Sequence, residues 1–72
     1  MDFTYEVIRR HTLIEDGKVK TYIEAEIKGT ADKEKPTSVE GCPLYNGSSF
    51  LCMDTSEVYM WSQSKERWFK LS

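Results

Sequence analysis

Alternation of apolar and polar positions is clearest in the first 28 residues. A run of small and β-branched side chains occupies every second position near the end of this segment: Val19, Thr21, Ile23, Ala25 and Ile27. A period of two is typical of a strand that is half buried. Residues 2–28 are therefore predicted to form a β-hairpin that turns around Asp16-Gly17.

Matching the apolar faces of the two strands favours one register of this hairpin. A three-residue loop, Glu15-Asp16-Gly17, would give three apolar pairs, namely Leu13 with Val19, Val7 with Ala25, and Tyr5 with Ile27. It would also place Glu6 opposite Glu26. A two-residue loop would instead set Arg10 opposite Ile23, and a slip of one residue reverses the face of every side chain. We therefore expect the three-residue loop.

The remaining chain divides into an irregular connection and a β-meander. Residues 29–47 are rich in Gly and Pro and indicate no regular element beyond a short turn around Ser38–Gly41. Residues 48–72 predict three strands, Ser49–Met53, Glu57–Ser62 and Arg67–Leu71. A three-residue loop at 54–56 and a four-residue loop at 63–66 would join them, and the second loop would set Trp61 opposite Trp68.

These two loops predict two faces of the meander, both of them apolar. The first face would carry Phe50, Cys52, Val58, Met60, Phe69 and Leu71. The second would carry Leu51, Met53, Tyr59, Trp61 and Trp68. The fold class is thus all-β, with an N-terminal hairpin and a C-terminal three-stranded antiparallel meander in one domain, residues 1–72, arranged as a small sandwich or an open barrel-like sheet.

Length and composition limit the classes of function. A chain of 72 residues has a small core, so association with another chain is a plausible source of extra stability. The formal charge is −2 with the signs interspersed, which argues against nucleic-acid binding. The N-terminus lacks the apolar region of a signal peptide, and no apolar run is long enough to cross a membrane. We expect a cytoplasmic protein, with Cys42 and Cys52 unbridged.

No group of residues indicates catalysis, a metal or a cofactor. His11 is the only histidine, and no cysteine or serine with a third partner accompanies it in the sequence. Glu24 and Glu26 share a strand face with three lysines, which is typical of a solvated surface. We therefore expect a protein that is not an enzyme.

The second face of the meander is the candidate site for binding a partner protein. Its members are Leu51, Met53, Tyr59, Trp61 and Trp68. Trp and Tyr dominate the residues that contribute most to protein interfaces. The same rings also stabilise a sheet by pairing across strands. Both readings fit the sequence.

The C-terminal half resembles a β-hairpin module of small phage and prophage proteins, also found in phage tail and fibre proteins. Pro36-Thr37, Gly47-Ser48, the apolar strand that follows, Asp54-Thr55, Val58-Tyr59-Met60-Trp61 and the closing Trp68 carry the resemblance, which covers residues 36–72. Ser56 stands where that family usually has glycine. The resemblance implies a non-enzymatic structural or assembly protein of a virion.

Two functions follow as hypotheses. The first is an assembly protein of a bacteriophage or prophage that binds a second copy of itself or a larger virion protein through the aromatic face. The alternative is a small bacterial binding module, regulatory or carbohydrate-binding, in which Trp61 and Trp68 form a stacking platform beside Gln63, Ser64 and Glu66.

Overall fold

The computed structural model describes residues 3–71 and shows an all-β protein, which confirms the predicted fold class. Its strands are β1 (Phe3–Glu15), β2 (Lys18–Gly29), β3 (Ser38–Val39), β4 (Cys42–Pro43), β5 (Ser49–Cys52), β6 (Glu57–Ser62) and β7 (Arg67–Lys70). The predicted outer limits of the hairpin and of the domain, at residues 1, 2 and 72, lie outside the described residues. No helix within residues 3–71 is long and apolar enough to cross a membrane.

The hairpin and the meander join in one mixed sheet of order β1-β2-β5-β6-β7. The two parts meet through parallel pairing of β2 with β5, in which Ile27 lies beside Phe50. Parallel strands need a long crossover, and residues 30–48, here called the connection, supply it. The connection contains the β3–β4 hairpin, where the sequence indicated only a turn. Its turn residues Glu40 and Gly41 are both left-handed.

The register of β1 and β2 agrees with the prediction at one end only. Val7 lies opposite Ala25 and Tyr5 opposite Ile27, as expected, and Glu6 lies opposite Glu26. A bulge at Ile8 then shifts the ladder by one residue. The predicted three-residue loop is therefore wrong, since the turn is the two-residue Asp16-Gly17 and Ile14, not Leu13, lies opposite Val19.

The core lies between one face of the sheet, here called the inner face, and the connection. Buried side chains from both layers form it: Ile23, Ala25, Ile27, Val39, Leu44, Phe50, Cys52 and Trp61. Ser48 is a buried polar residue beside this cluster, and its hydroxyl accepts a hydrogen bond from the Ala25 backbone N–H at 3.1 Å and donates one to the Tyr45 carbonyl at 2.9 Å. A side chain thus completes the backbone pairing just before β5 begins.

The far half of the β1–β2 hairpin extends beyond the other strands and is here called the arm, residues 9–22. Pairing with β5 starts only at Glu26, so most of the arm has no third strand beside it. The molecule accordingly measures 42 × 22 × 18 Å. At the tip, Ile14 is 77% exposed and lies directly opposite Val19, which is also exposed.

Candidate functional site

The structure separates the five predicted partner-binding residues into two groups. The loop between β5 and β6 has four residues, Met53–Ser56, because Cys52 lies opposite Glu57 and Phe50 opposite Tyr59. The predicted three-residue loop is wrong, and the slip of one residue changes which β5 side chains share a face with β6. Tyr59, Trp61 and Trp68 lie on the inner face, whereas Leu51 lies on the outer face with Met53 just beyond it.

The aromatic residues of the meander are core residues that the connection covers. Trp61 is only 6% exposed and packs edge-on against Trp68, with ring centroids 5.4 Å apart. Each indole N–H donates to a carbonyl of the connection, Trp61 to Leu44 at 3.1 Å and Trp68 to Pro36 at 2.9 Å. The ammonium of Lys35 lies 4.0 Å from the centroid of the Tyr59 ring. This face therefore holds the connection in place.

The opposite face of the meander presents a row of apolar side chains, here called the outer strip. It comprises Leu51, Val58, Met60, Phe69 and Leu71. Leu71 belongs to it because its N–H donates to the Val58 carbonyl at 2.7 Å, which continues the ladder past β7. Met60 and Phe69 lie directly opposite each other and are 38% and 41% exposed. Leu71 is 59% exposed. Exposed apolar groups gathered on one face mark an interaction site more often than scattered ones.

Charged and polar groups border the outer strip. Glu6 and Glu26 face each other on β1 and β2, and Lys28 lies beside Leu51. On the other side, the guanidinium of Arg67 sits 4.8 Å from the centroid of the Phe69 ring. The strip thus has the apolar centre and polar rim that are typical of protein interfaces.

A second candidate is an open cleft of about 740 Å³ between the arm and the meander. Tyr22, Tyr45 and Trp61 line it together with Gln63, Ser64 and Glu66, so the polar residues expected beside a stacking platform do gather at Trp61. Trp68 is not among the lining residues.

The rings in this cleft are engaged by the protein itself. One face of Tyr45 stacks on His11, with centroids 3.6 Å apart and planes within 7°, and His11 also bonds Glu24 at 3.0 Å. Tyr22 donates to Glu15, and that hydrogen bond raises the pKa of the Tyr22 hydroxyl. Since Trp61 is almost fully buried, the cleft offers edges of rings to a ligand and not an open stacking face.

The part of the chain that the structure describes contains no group of three or more His, Cys, Asp or Glu side chains placed to hold a metal ion. Both thiols are free, with Cys52 buried and Cys42 half-buried. Four members of the outer strip, Val58, Met60, Phe69 and Leu71, were placed by the sequence on the face opposite the proposed site, whereas Leu51 was counted in the site itself. The correctly predicted pairing of Met60 with Phe69 is the signal that could have found the strip.

The fold and these surfaces define a small all-β protein with a five-stranded mixed sheet. No family model, curated protein or solved structure matches the chain.

Proposed function

We propose that this protein is a non-enzymatic interaction or assembly component that binds a protein partner through the outer strip. The observation that carries the proposal is the exposure of Met60, Phe69 and Leu71 side by side on a sheet face that no other part of residues 3–71 covers. Burying such side chains in an interface stabilises a complex by about 25 cal/mol for each Å² of apolar surface that is removed from water. The outer strip lies on the side of the three meander strands opposite the inner aromatic face.

A role in a bacteriophage or prophage remains part of this proposal, and the resemblance of residues 36–72 is its support. Gly47-Ser48 come just before β5, and the Val58–Trp61 run lies in β6, which pairs with β5 and β7 and carries Val58 and Met60 of the outer strip. A virion component assembles with many copies of a few proteins, and an exposed apolar sheet face suits that task.

Co-expression with the products of neighbouring genes tests the interaction role. The chain should co-purify in a fixed ratio with a partner, and Phe69→Lys should abolish that complex because a lysine ammonium cannot be buried without a counter-charge. Ile14→Lys is the matched control, since it makes the same kind of change at an exposed apolar residue on the arm. Loss of the complex in both variants, or in neither, would contradict binding through the outer strip.

A second candidate function, binding of a small polar ligand in the cleft, is favoured by the gathering of Asn46, Gln63, Ser64 and Glu66 at the edge of Trp61. Titration with soluble oligosaccharides should then change the Trp61 fluorescence, and Ser64→Ala should weaken the response. An unchanged spectrum at saturating oligosaccharide would remove carbohydrate binding from consideration.

A further inference from the structure

In the arm, β1 leaves every second backbone N–H and C=O group without a partner. It is an edge strand of the sheet, and no hydrogen bond from outside the β1–β2 ladder reaches its backbone within the described chain. Arg10 lies opposite Ile23, whose carbonyl points away from β1 and accepts from the Tyr45 N–H at 2.8 Å. Both residues of such a pair direct their backbone groups away from each other, so Arg10, Thr12 and Ile14 present theirs at the open edge of β1.

This open edge is regular through residues 9–15, between the bulge at Ile8 and the Asp16-Gly17 turn. Edge strands are usually protected by lysine, by proline or by being short, and this stretch contains neither lysine nor proline. The other edge strand of the sheet, β7, has only four residues, and pairing with itself would set Arg67 opposite Lys70. A two-stranded ribbon is marginally stable in water without a third strand. The arm therefore gains most from a further strand.

We infer that this further strand is β1 of a second copy of the chain, paired antiparallel about a two-fold axis that passes through Thr12. Thr12 is the midpoint of residues 9–15, so both copies use the whole regular edge. The open backbone groups then meet, Thr12 with Thr12 of the other copy and Arg10 with Ile14 of the other copy. The contact is isologous and closed, because each copy contributes the same edge. It is separate from the outer strip and leaves that surface free for another partner.

The charges along the edge are complementary in this register. Arg9 comes directly opposite Glu15 of the other copy, on the same face of the sheet and on both sides of the axis, and opposite charges in such positions stabilise strand pairs. Arg9 takes part in no ion pair of the described chain, since Glu24, which lies opposite it on β2, is bonded to His11. The Glu15 side chain is 38% exposed, and its ion pair with Lys20 is long, at 3.7 Å.

An axis shifted by one residue loses this match. About His11, Arg9 would face Leu13, and two imidazole rings would face each other. About Leu13, His11 would face Glu15, but the ladder would shorten to residues 11–15 and leave Arg9 without a partner. The axis through Thr12 gives both the longest ladder and a counter-charge for Arg9.

Sedimentation equilibrium on the full chain tests the pairing of the two arms. The wild type should form a dimer, and Thr12→Pro should raise its dissociation constant about 100-fold or more, because the N–H at the axis is lost from both copies. The monomer tolerates this proline, since an edge N–H that points to solvent has no intramolecular partner. Thr21→Pro is the matched control, because Thr21 lies directly opposite Thr12 and its N–H points to the other edge of the arm. Circular dichroism compares the folding of the two variants. A dimer that survives Thr12→Pro, or that both variants weaken equally, would overturn the inference.

A charge exchange tests the register. Arg9→Glu and Glu15→Arg should each weaken the dimer about tenfold, and the double variant should recover most of the loss because the ion pair is restored in reverse. Absence of recovery would overturn the axis through Thr12. Phe69→Lys should leave the dimer unchanged, and a dimer that it abolishes would overturn β1 as the interface. A wild type that stays monomeric at millimolar concentration would overturn the second copy as partner of the arm, whereas the role of the outer strip is decided separately by co-purification.

Discussion

Within residues 3–71, four residues other than glycine adopt left-handed backbone conformations, and each of them lies in a turn: Asp16, Glu40, Ser56 and Glu66. Ser56 and Glu66 hold the same place, the last position of the four-residue loops that join β5 to β6 and β6 to β7. At Ser56 the N–H donates to the Cys52 carbonyl at 2.7 Å, which fixes the chain in this conformation. The left-handed conformation is unfavourable by about 1–2 kcal/mol for a residue that has a Cβ atom, because that atom comes too close to the following carbonyl oxygen.

Ser56→Gly should therefore stabilise the protein. We expect a gain of about 0.5–1 kcal/mol in the free energy of unfolding, because the relief of strain exceeds the entropy that glycine loses on folding. Equilibrium unfolding in urea measures it. Thr55→Gly is the control, since Thr55 precedes the left-handed position and should gain nothing. Equal effects of the two changes would refute the strain at Ser56.

Trp61 is a core residue whose main contribution is to stability. Trp61→Ala should lower the free energy of unfolding by about 3–5 kcal/mol, since it empties a buried site and leaves the Leu44 carbonyl without its donor. A domain of this size has little more stability than that, so the variant should be largely unfolded by circular dichroism. A well-folded Trp61→Ala protein would show that the inner face is not the core.

At the scale of the elements, face matching predicted most strands and half of their registers. It placed Val7 opposite Ala25 correctly but assigned the wrong turn, because the bulge at Ile8 shifts the ladder without leaving a mark in the alternation. It set Trp61 opposite Trp68 correctly across a loop of known length. It failed at residues 53–56, because the sequence at Met53 is compatible with the end of a strand and with the start of a turn. The loop is one residue longer than predicted, so the side chains of β5 lie on the opposite face from the one expected relative to β6.

Deletion of Ile8 tests the role of the bulge in β1. Deleting Ile8 should leave a folded protein, because Val7 and Arg9 already occupy consecutive positions of the ladder. The straightened β1 is an edge strand and should aggregate more readily, since bulges disrupt edge-to-edge pairing. Light scattering and thermal melts measure both effects. Deletion of Thr12, which reverses the faces of the arm, is the control and should destabilise more. If the two deletions lower the melting temperature equally, Ile8 is not an extra residue that the ladder can lose.

Glu40 ties the β3–β4 hairpin to β1 and should make stability depend on pH. Arg10 and Tyr5 donate hydrogen bonds to its carboxylate, at 2.6 Å and 3.0 Å, and these hold the pKa of Glu40 below its ordinary value of 4.5. Since the folded-state pKa is depressed, this stabilisation is present above pH 4.5 and is lost as the pH falls through the folded-state pKa. Urea unfolding between pH 7 and about 3 should show a smaller acid dependence for Glu40→Gln than for wild type. Identical pH profiles for Glu40→Gln and wild type would show that the contacts of Glu40 with Arg10 and Tyr5 do not contribute to stability.

At the scale of the whole molecule, the sequence could not show how the hairpin and the meander join. Pairing of β2 with β5 is parallel and bridges the long connection, and no local pattern specifies which distant strands become neighbours. The choice decides the layout of the surface, because the connection that it requires packs against the inner face of the meander. Residues 30–48 then bury the aromatic rings, and Met60, Phe69 and Leu71 remain exposed on the other side.

Met60 and Trp61 are neighbours on β6 that point to opposite faces, so Met60→Lys changes the outer strip and leaves the core intact. The measurement is the fraction of folded chain assembled with its partner, at equal concentrations of variant and wild type. We expect an unfolding free energy within about 1 kcal/mol of wild type, as for other changes at exposed positions, and little or no assembly. A Met60→Lys protein that assembles like wild type would contradict the claim that the outer strip is the binding surface.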